Sequence, residues 1–366
     1  MISVPSHIAS LKPYRPGRSA VEVERELGLH NVIKLASNEN PFGSSPEAID
    51  SVRRSLHGLE RYPDQGIALR HLLADRYVIK VDNVICGAGS ESVIAIAMST
   101  FLQGEDEIIT SAGTFIGFQV LAHRFGYPTH YVPHDRYRYD LEAIASKINP
   151  KTKLIYIANP NNPTGTTVST AELEAFIAKV PDSVLVILDE AYFEYAVDYA
   201  DYPDSMRRRW DNVLTCRTFS KAYGLAGMRI GYGMAHSDII TQMMKVKLPF
   251  EPSTPAAAAG FAALSDDTFL KKSVDANREG LRYFHEEFER LGLDYVPSLA
   301  NFVMIDFGTP GNAERVHDGM LRRGVIVRPL DAFGLPHCLR ISTGLDEENR
   351  RCVATLEEVL AEESVG

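Results

Sequence analysis

From about residue 67 to about residue 265, short apolar runs alternate with longer helix-patterned ones, and this alternation constrains the fold most tightly. Each strand–helix–strand passage forms a βαβ unit, and a series of them builds a mostly parallel sheet with helices packed on it. The strand candidates are 83–86, 107–110, 129–132, 154–158, 184–188, 213–216 and 229–233. Helical runs between them include 91–102, 117–124, 140–148, 171–180 and 237–246. Beyond Pro255 the pattern changes to a long charged helix (266–291), apolar strands at 302–305, 325–328 and 338–342, and a closing helix from 347. A chain of 366 residues exceeds the usual single domain. The reading is therefore α/β, with an N-terminal arm (1–30), a large domain (31–265) and a smaller α+β domain (266–366).

The unusual clusters fall just after the strand candidates. Gly87-Ala-Gly-Ser90 follows the first, Gly113-Thr-Phe115 the second, and Asn159-Pro-Asn-Asn-Pro-Thr-Gly165 the fourth. Asp189-Glu-Ala-Tyr192 follows the fifth and Thr218-Phe-Ser-Lys221 the sixth. Open α/β sheets bind ligands outside the carboxyl ends of their strands, so these clusters describe one site.

Lys221 lies among hydroxyls and turn formers, with Arg229 eight positions on. A nearby fixed cation lowers an amine's pKa, which suits a nucleophile able to form a Schiff base with a carbonyl cofactor. Thr218, Ser220 and Arg229 suit a phosphate, as do the backbone N–H groups of a helix opening at Ser90. A plain strand–helix turn accounts for the glycines equally well, and the dinucleotide fingerprint GxGxxG stays incomplete because Ser92 takes its last position. Asp189 is a carboxylate at the core's edge, fitted either to a pyridine nitrogen or to a turn cap. Asn162 and Tyr192 can donate to a ring oxygen or serve turn and core. Phe115 can stack on a ring or pack inside. Arg328 and Arg340 lie at or within apolar strands, where an anion or an internal salt bridge must meet the guanidinium.

A net charge of -10 argues against nucleic acid. Four scattered cysteines (Cys86, Cys216, Cys338, Cys352) have no metal-ligand spacing and read as free thiols in a reducing cytoplasm. No signal peptide is expected, and the least polar stretch, 84–104, carries Glu91 and reads as a buried strand–turn–helix and not as a membrane span. The arm Leu11-Lys-Pro-Tyr-Arg-Pro-Gly17 must lie on its own body or on a partner subunit.

Together these residues resemble the fold-type I pyridoxal-phosphate aminotransferases, and within them the histidinol-phosphate aminotransferase family. The resemblance runs along almost the whole chain. It rests on the arm, Ala36-Ser-Asn-Glu-Asn-Pro41, Arg61-Tyr-Pro-Asp64, Asn159 to Gly165, Asp189 to Tyr192, Thr218 to Lys221, Gly227-Met-Arg229 and Leu339-Arg-Ile-Ser342. It implies pyridoxal 5'-phosphate carried on Lys221, which also shuttles a proton between cofactor and substrate. Asp189 would hold the pyridine nitrogen, and Asn162 and Tyr192 the ring oxygen. The backbone N–H groups of Ser90 and Glu91, with Thr218, Ser220 and Arg229, would hold the phosphate, with Tyr62 reaching it across a homodimer interface. Phe115 would stack on the ring, while Tyr14, Asn38, Arg328 and Arg340 take the substrate side. The implied partners are a small amino donor and a 2-oxo acid acceptor, histidinol phosphate and 2-oxoglutarate; an aromatic amino acid aminotransferase is the alternative. Two departures bear on substrate identity: Ala112-Gly113 stands where the family often has proline, and Lys247-Leu-Pro-Phe-Glu-Pro-Ser-Thr254 differs from the usual Pro-Phe-Asn-Val-Asn.

Overall fold

The computed structural model describes residues 2–11 and 17–362. Its strands in chain order are β1 (Ile33–Lys34), β2 (Val84–Gly87), β3 (Glu107–Ser111), β4 (Thr129–Val132), β5 (Thr152–Ala158), β6 (Leu185–Asp189), β7 (Val213–Thr218), β8 (Gly231–Met234), β9 (Asp294–Val296), β10 (Phe302–Asp306), β11 (Val325–Ile326), β12 (Arg328–Pro329) and β13 (Cys338–Ser342). The central sheet has seven strands in the order β2-β8-β7-β6-β5-β3-β4, and β8 alone runs against its neighbours. All seven expected strands are present, their ends moved by a residue or two. The expected start at Arg229 shifts to Gly231, because Arg229 takes a left-handed backbone, φ +52°.

Parallel strands covered on both faces should be apolar throughout, and β6 (Leu-Val-Ile-Leu-Asp) is buried along its whole length. Tyr156 and Ile187 face one helix layer with Phe118; Ile157 and Val186 face the other with Phe176. Full burial of each large aliphatic or aromatic side chain contributes roughly 1.5–3 kcal/mol.

The C-terminal residues form an antiparallel sheet, β12-β13-β10-β9. The helix Asp267–Arg290 ties it to the central sheet. Its buried residues Ser273, Asn277, Gly280, Leu281, Phe284 and Phe288 recur at three- and four-residue spacing, and Asp266 caps it by accepting from Phe269 N–H at 3.0 Å.

Three features depart from the sequence reading. The expected strand 325–328 is two strands: β11 pairs in parallel with β1, and β12 pairs with β13. Leu35 joins the C-terminal core, so residues 33–35 pack with that end of the chain and not with the central sheet, against an expected large-domain start at 31. Finally, Thr254–Ser265 is a helix where the sequence reading has no element: Ser253 caps it and Pro255 sits in its first turn.

Candidate active site

The clusters at the strand ends converge. Ser90, Glu91, Phe115, Asn162, Asp189, Tyr192, Thr218, Ser220, Lys221 and Arg229 line one cavity of about 170 Å³, closed by Ala158, Pro160, Ala191 and Ala226.

Asp189 ends β6, only 3% exposed. Its Oδ2 accepts from the Tyr156 hydroxyl at 2.7 Å, while its Oδ1 is buried with no hydrogen-bond partner among the described residues. Burial pushes the carboxyl up to about 6, against the bonds from Tyr156 and the Ala191 N–H. A buried carboxylate oxygen left open toward a cavity calls for a donor, and a cationic one most of all. Lys221 follows β7 and keeps part of its surface open to the same cavity, its Nζ 5.7 Å from the centre of the Tyr192 ring. Burial first and the Arg340 guanidinium second press its amine down to about 8. A useful fraction is therefore neutral, and nucleophilic, near pH 7.

At the opposite end the helix Ser90–Phe101 starts behind Gly89, which has no side chain to cap its first N–H groups. Gly89 has φ +87°, and a Cβ there would lie 2.7 Å from a guanidinium nitrogen of Arg229; a Cβ at Gly231 would lie 2.3 Å from the Ser90 nitrogen. The two glycines let Arg229 and β8 close on the helix start. Beside it, the Thr218 hydroxyl donates to Ser220 Oγ at 2.9 Å and accepts from the Ser220 N–H at 3.1 Å. Open N–H groups, two hydroxyls and a guanidinium make an anion-binding end.

On the third side the Tyr192 hydroxyl accepts from Asn38 Nδ2 at 2.8 Å and Asn162 Nδ2 at 3.2 Å. With both acceptor positions used, its own proton is free to donate, and burial holds the phenol neutral, its pKa pushed up to about 12. Ser342 donates to Asn38 Oδ1 at 2.8 Å. Arg340 is buried; it donates to Asn162 Oδ1 and, at 2.9 Å, to the Ala36 carbonyl. Arg328 is its cross-strand partner, half-buried. Tyr62 is 80% exposed and stacks on Phe250 at 4.3 Å, outside the cavity of its own chain. Tyr14 lies outside the described residues.

Two further groups that the sequence reading does not single out brace the site. Tyr156 looked like one more strand aromatic; its ring stacks on Phe118 with centroids 3.8 Å apart, which fixes the hydroxyl on Asp189. Arg217 is fully buried between Glu190 and Asp204, with N–O distances of 2.7 and 2.9 Å, and lies over the Phe193 ring at 3.2 Å. It holds the ends of β6 and β7 together from behind: Arg217 adjoins Thr218, and its partner Glu190 adjoins Asp189. The rule that raised Arg340, an arginine inside an apolar strand, would have found it.

The aminotransferase class I and II family profile matches residues 30–356. A histidinol-phosphate aminotransferase from Nitrosococcus oceani is 44% identical over 358 residues, covering 97% of this chain and 96% of that one. Another, from a Geobacillus species, is 42% identical and covers both chains completely. The crystal structure of the Sinorhizobium meliloti histidinol-phosphate aminotransferase, solved in complex with pyridoxal 5'-phosphate, superposes with a TM-score of 0.88 at 29% identity over 98% of each chain. Among the described residues no helix is long and apolar enough to cross a membrane. Matches of this extent leave no segment of the fold or cavity outside the comparison, and the chain belongs to the aminotransferase class I and II family and, within it, to the histidinol-phosphate aminotransferases.

Proposed function

We propose that the cavity holds pyridoxal 5'-phosphate and that the enzyme moves the amine of histidinol phosphate to 2-oxoglutarate, giving imidazole acetol phosphate and glutamate. The observation that carries the cofactor reading is the unpartnered, buried Oδ1 of Asp189 in the same cavity as the Lys221 amine. A protonated pyridine nitrogen supplies the donor that oxygen lacks, and an anion suits the Gly89–Arg229 end. When bound, the cofactor supplies a carbonyl carbon for an amine and a ring that draws electron density from the substrate's reacting carbon.

The chain's own residues do the rest. Lys221, its amine pressed down to about 8, would hold the cofactor's carbonyl carbon as a neutral nucleophile and would carry a proton to and from the substrate's reacting carbon. Asp189 keeps the ring nitrogen protonated, and Tyr156 keeps Asp189 ionised and aimed. Asn162 and Tyr192 would donate to the ring oxygen, and Phe115, lining the same cavity, would cover the ring and exclude water. The backbone N–H groups of Ser90 and Glu91 at the helix start, with Thr218, Ser220 and Arg229, would hold the phosphate.

The substrate reading rests on the whole-length identity to enzymes named for histidinol phosphate and on the Arg328–Arg340 pair. Two cross-strand guanidiniums suit a phosphate dianion and, in the other half-reaction, a carboxylate of 2-oxoglutarate; Asn38 is assigned to this side in the same reading.

The working unit in this reading is a homodimer. Tyr62 and Phe250 stack in the open, and Leu59 and Leu248, near them in the chain, are exposed too; a second copy would cover such apolar groups while Tyr62 reaches the partner's phosphate. The division into arm, large domain and small domain is retained, with residues 33–35 moved to the small one. The four cysteines are free and buried, which fits the reducing cytoplasm. A panel of amino donors, read as conversion of 2-oxoglutarate to glutamate, tests the proposal: turnover with histidinol phosphate supports it, and turnover with other donors alone overturns it.

A further inference from the structure

Residues 135–138 form a tight turn in which Asp135 and Arg138 exchange both backbone hydrogen bonds, at 3.0 and 2.8 Å. The central residues, Arg136 and Tyr137, have φ +48° and +66°. Turns of this kind normally use Asn-Gly, and a tyrosine in the left-handed region is an outlier that the surroundings must hold in place. What the conformation achieves is a bridge. The Tyr137 ring leaves the large domain and enters an apolar cluster with Met304, Leu330 and Phe333. Its hydroxyl donates to Asp306 Oδ2 at 2.5 Å, with His337 Nε2 at 3.1 Å and Cys338 Sγ at 3.8 Å. The donor atoms of Asp306, His337 and Cys338 lie within 4.8 Å of one another, a spacing that suggests a cation, yet the phenol already stands among them.

Both ends of the bridge belong to elements of the active site. The Tyr137 carbonyl accepts from Thr166 Oγ1 at 2.9 Å, and the Thr166 carbonyl accepts from the Asn161 N–H at 2.8 Å, next to Asn162. On the other side, Asp306 pairs in register with Cys338, two residues before Arg340 on the same face of β13. The loop of Asn162 and the strand of Arg340 are thus joined twice: by Arg340 itself, and by Tyr137 at a distance from the cavity.

We propose that Tyr137 is a positioning residue for substrate binding, whose bond to Asp306 sets β13 against the Asn162 loop so that Arg340 is aimed at the substrate anion. The inference deepens the reading of Arg340 as the anion's partner and rests on it.

The test uses the cofactor-loaded enzyme and glutarate, a dicarboxylate without the reacting ketone, titrated spectroscopically. Tyr137→Phe keeps the ring and deletes the hydroxyl. Misaiming a fixed group by about 1 Å costs up to roughly 100-fold; glutarate and 2-oxoglutarate should bind roughly 10- to 100-fold more weakly while cofactor affinity stays within about twofold. Arg340→Lys runs in parallel. If it leaves glutarate binding unchanged, the reading of Arg340 falls and this inference with it. If Arg340→Lys weakens glutarate but Tyr137→Phe only lowers Tm, the hydroxyl is structural and the positioning role is overturned. Should Tyr137→Phe not fold, Asp306→Asn, which leaves a weaker neutral acceptor, decides in the same way.

Discussion

Replacing Tyr156 by phenylalanine isolates the tuning of Asp189. The ring is held by Phe118 at a centroid distance of 3.8 Å and an interplanar angle of 7°, so phenylalanine keeps the packing and removes one hydroxyl. The lost bond, 2.7 Å to Asp189 Oδ2, is made to an ionised group, and such bonds contribute about 1.5–3 kcal/mol. At about 1.4 kcal/mol per pH unit, this lifts the Asp189 carboxyl by about one to two units. The wild-type carboxyl stands at about 6, raised by burial and held back chiefly by this bond. A raised carboxyl loses its charge as pH falls through the folded value, so cofactor binding to the cofactor-free enzyme should weaken below pH about 6. In Tyr156→Phe the same decline should begin about one to two units higher, with affinity at pH 7 down by roughly two- to tenfold. Absorbance titrations of pyridoxal 5'-phosphate from pH 5 to 9 measure both curves. Coincident curves would refute the claim that Tyr156 keeps Asp189 ionised.

Borohydride treatment should fix the cofactor covalently to Lys221, and a peptide map placing it elsewhere sinks the assignment; Lys221→Ala should retain the cofactor through Arg229, Thr218 and Ser220 yet lose essentially all turnover. The lowered Lys221 amine penalises the cofactor-free fold while it is charged, and the penalty is relieved as pH rises from about 8 toward its ordinary value of 10.5. The stability of cofactor-free wild type relative to Lys221→Met, followed by urea unfolding, should therefore rise across that window, and a flat difference would show the amine is not perturbed. Mixing inactive Lys221→Ala with inactive Tyr62→Ala subunits should restore part of the activity if Tyr62 serves the partner's site; no recovery after verified subunit exchange would count against sharing.

The central sheet and its carboxyl edge were legible because parallel strands buried on both faces must be apolar, and because groups that cannot stay in such a core collect where the strands end. Lys221 and Asp189 were visible for that reason, and Arg229 by its spacing from Lys221. Tyr156 and Tyr137 were not, since their roles depend on what the fold brings opposite them: Phe118 and Asp189, Asp306 and His337; Arg217 carries the same mark as Arg340, an arginine in an apolar strand, and only its partners Glu190 and Asp204 come from the fold. The pairing of β1 with β11 spans nearly the whole chain, and no local pattern encodes it. The helix Thr254–Ser265 carried its start signal in Ser253 and Pro255, but its run of alanines masked the period by which a helix is recognised.

The most direct test of the account is kcat/KM for histidinol phosphate and for phenylalanine, each with 2-oxoglutarate, in wild type and in Arg328→Ala. Losing one charged fork from a buried anion costs roughly 2–5 kcal/mol. The account predicts a wild-type preference for histidinol phosphate, and a loss in Arg328→Ala that falls more heavily on it, because the phosphate dianion meets both Arg328 and Arg340. A wild-type preference for phenylalanine, or an equal loss for both substrates, would contradict it.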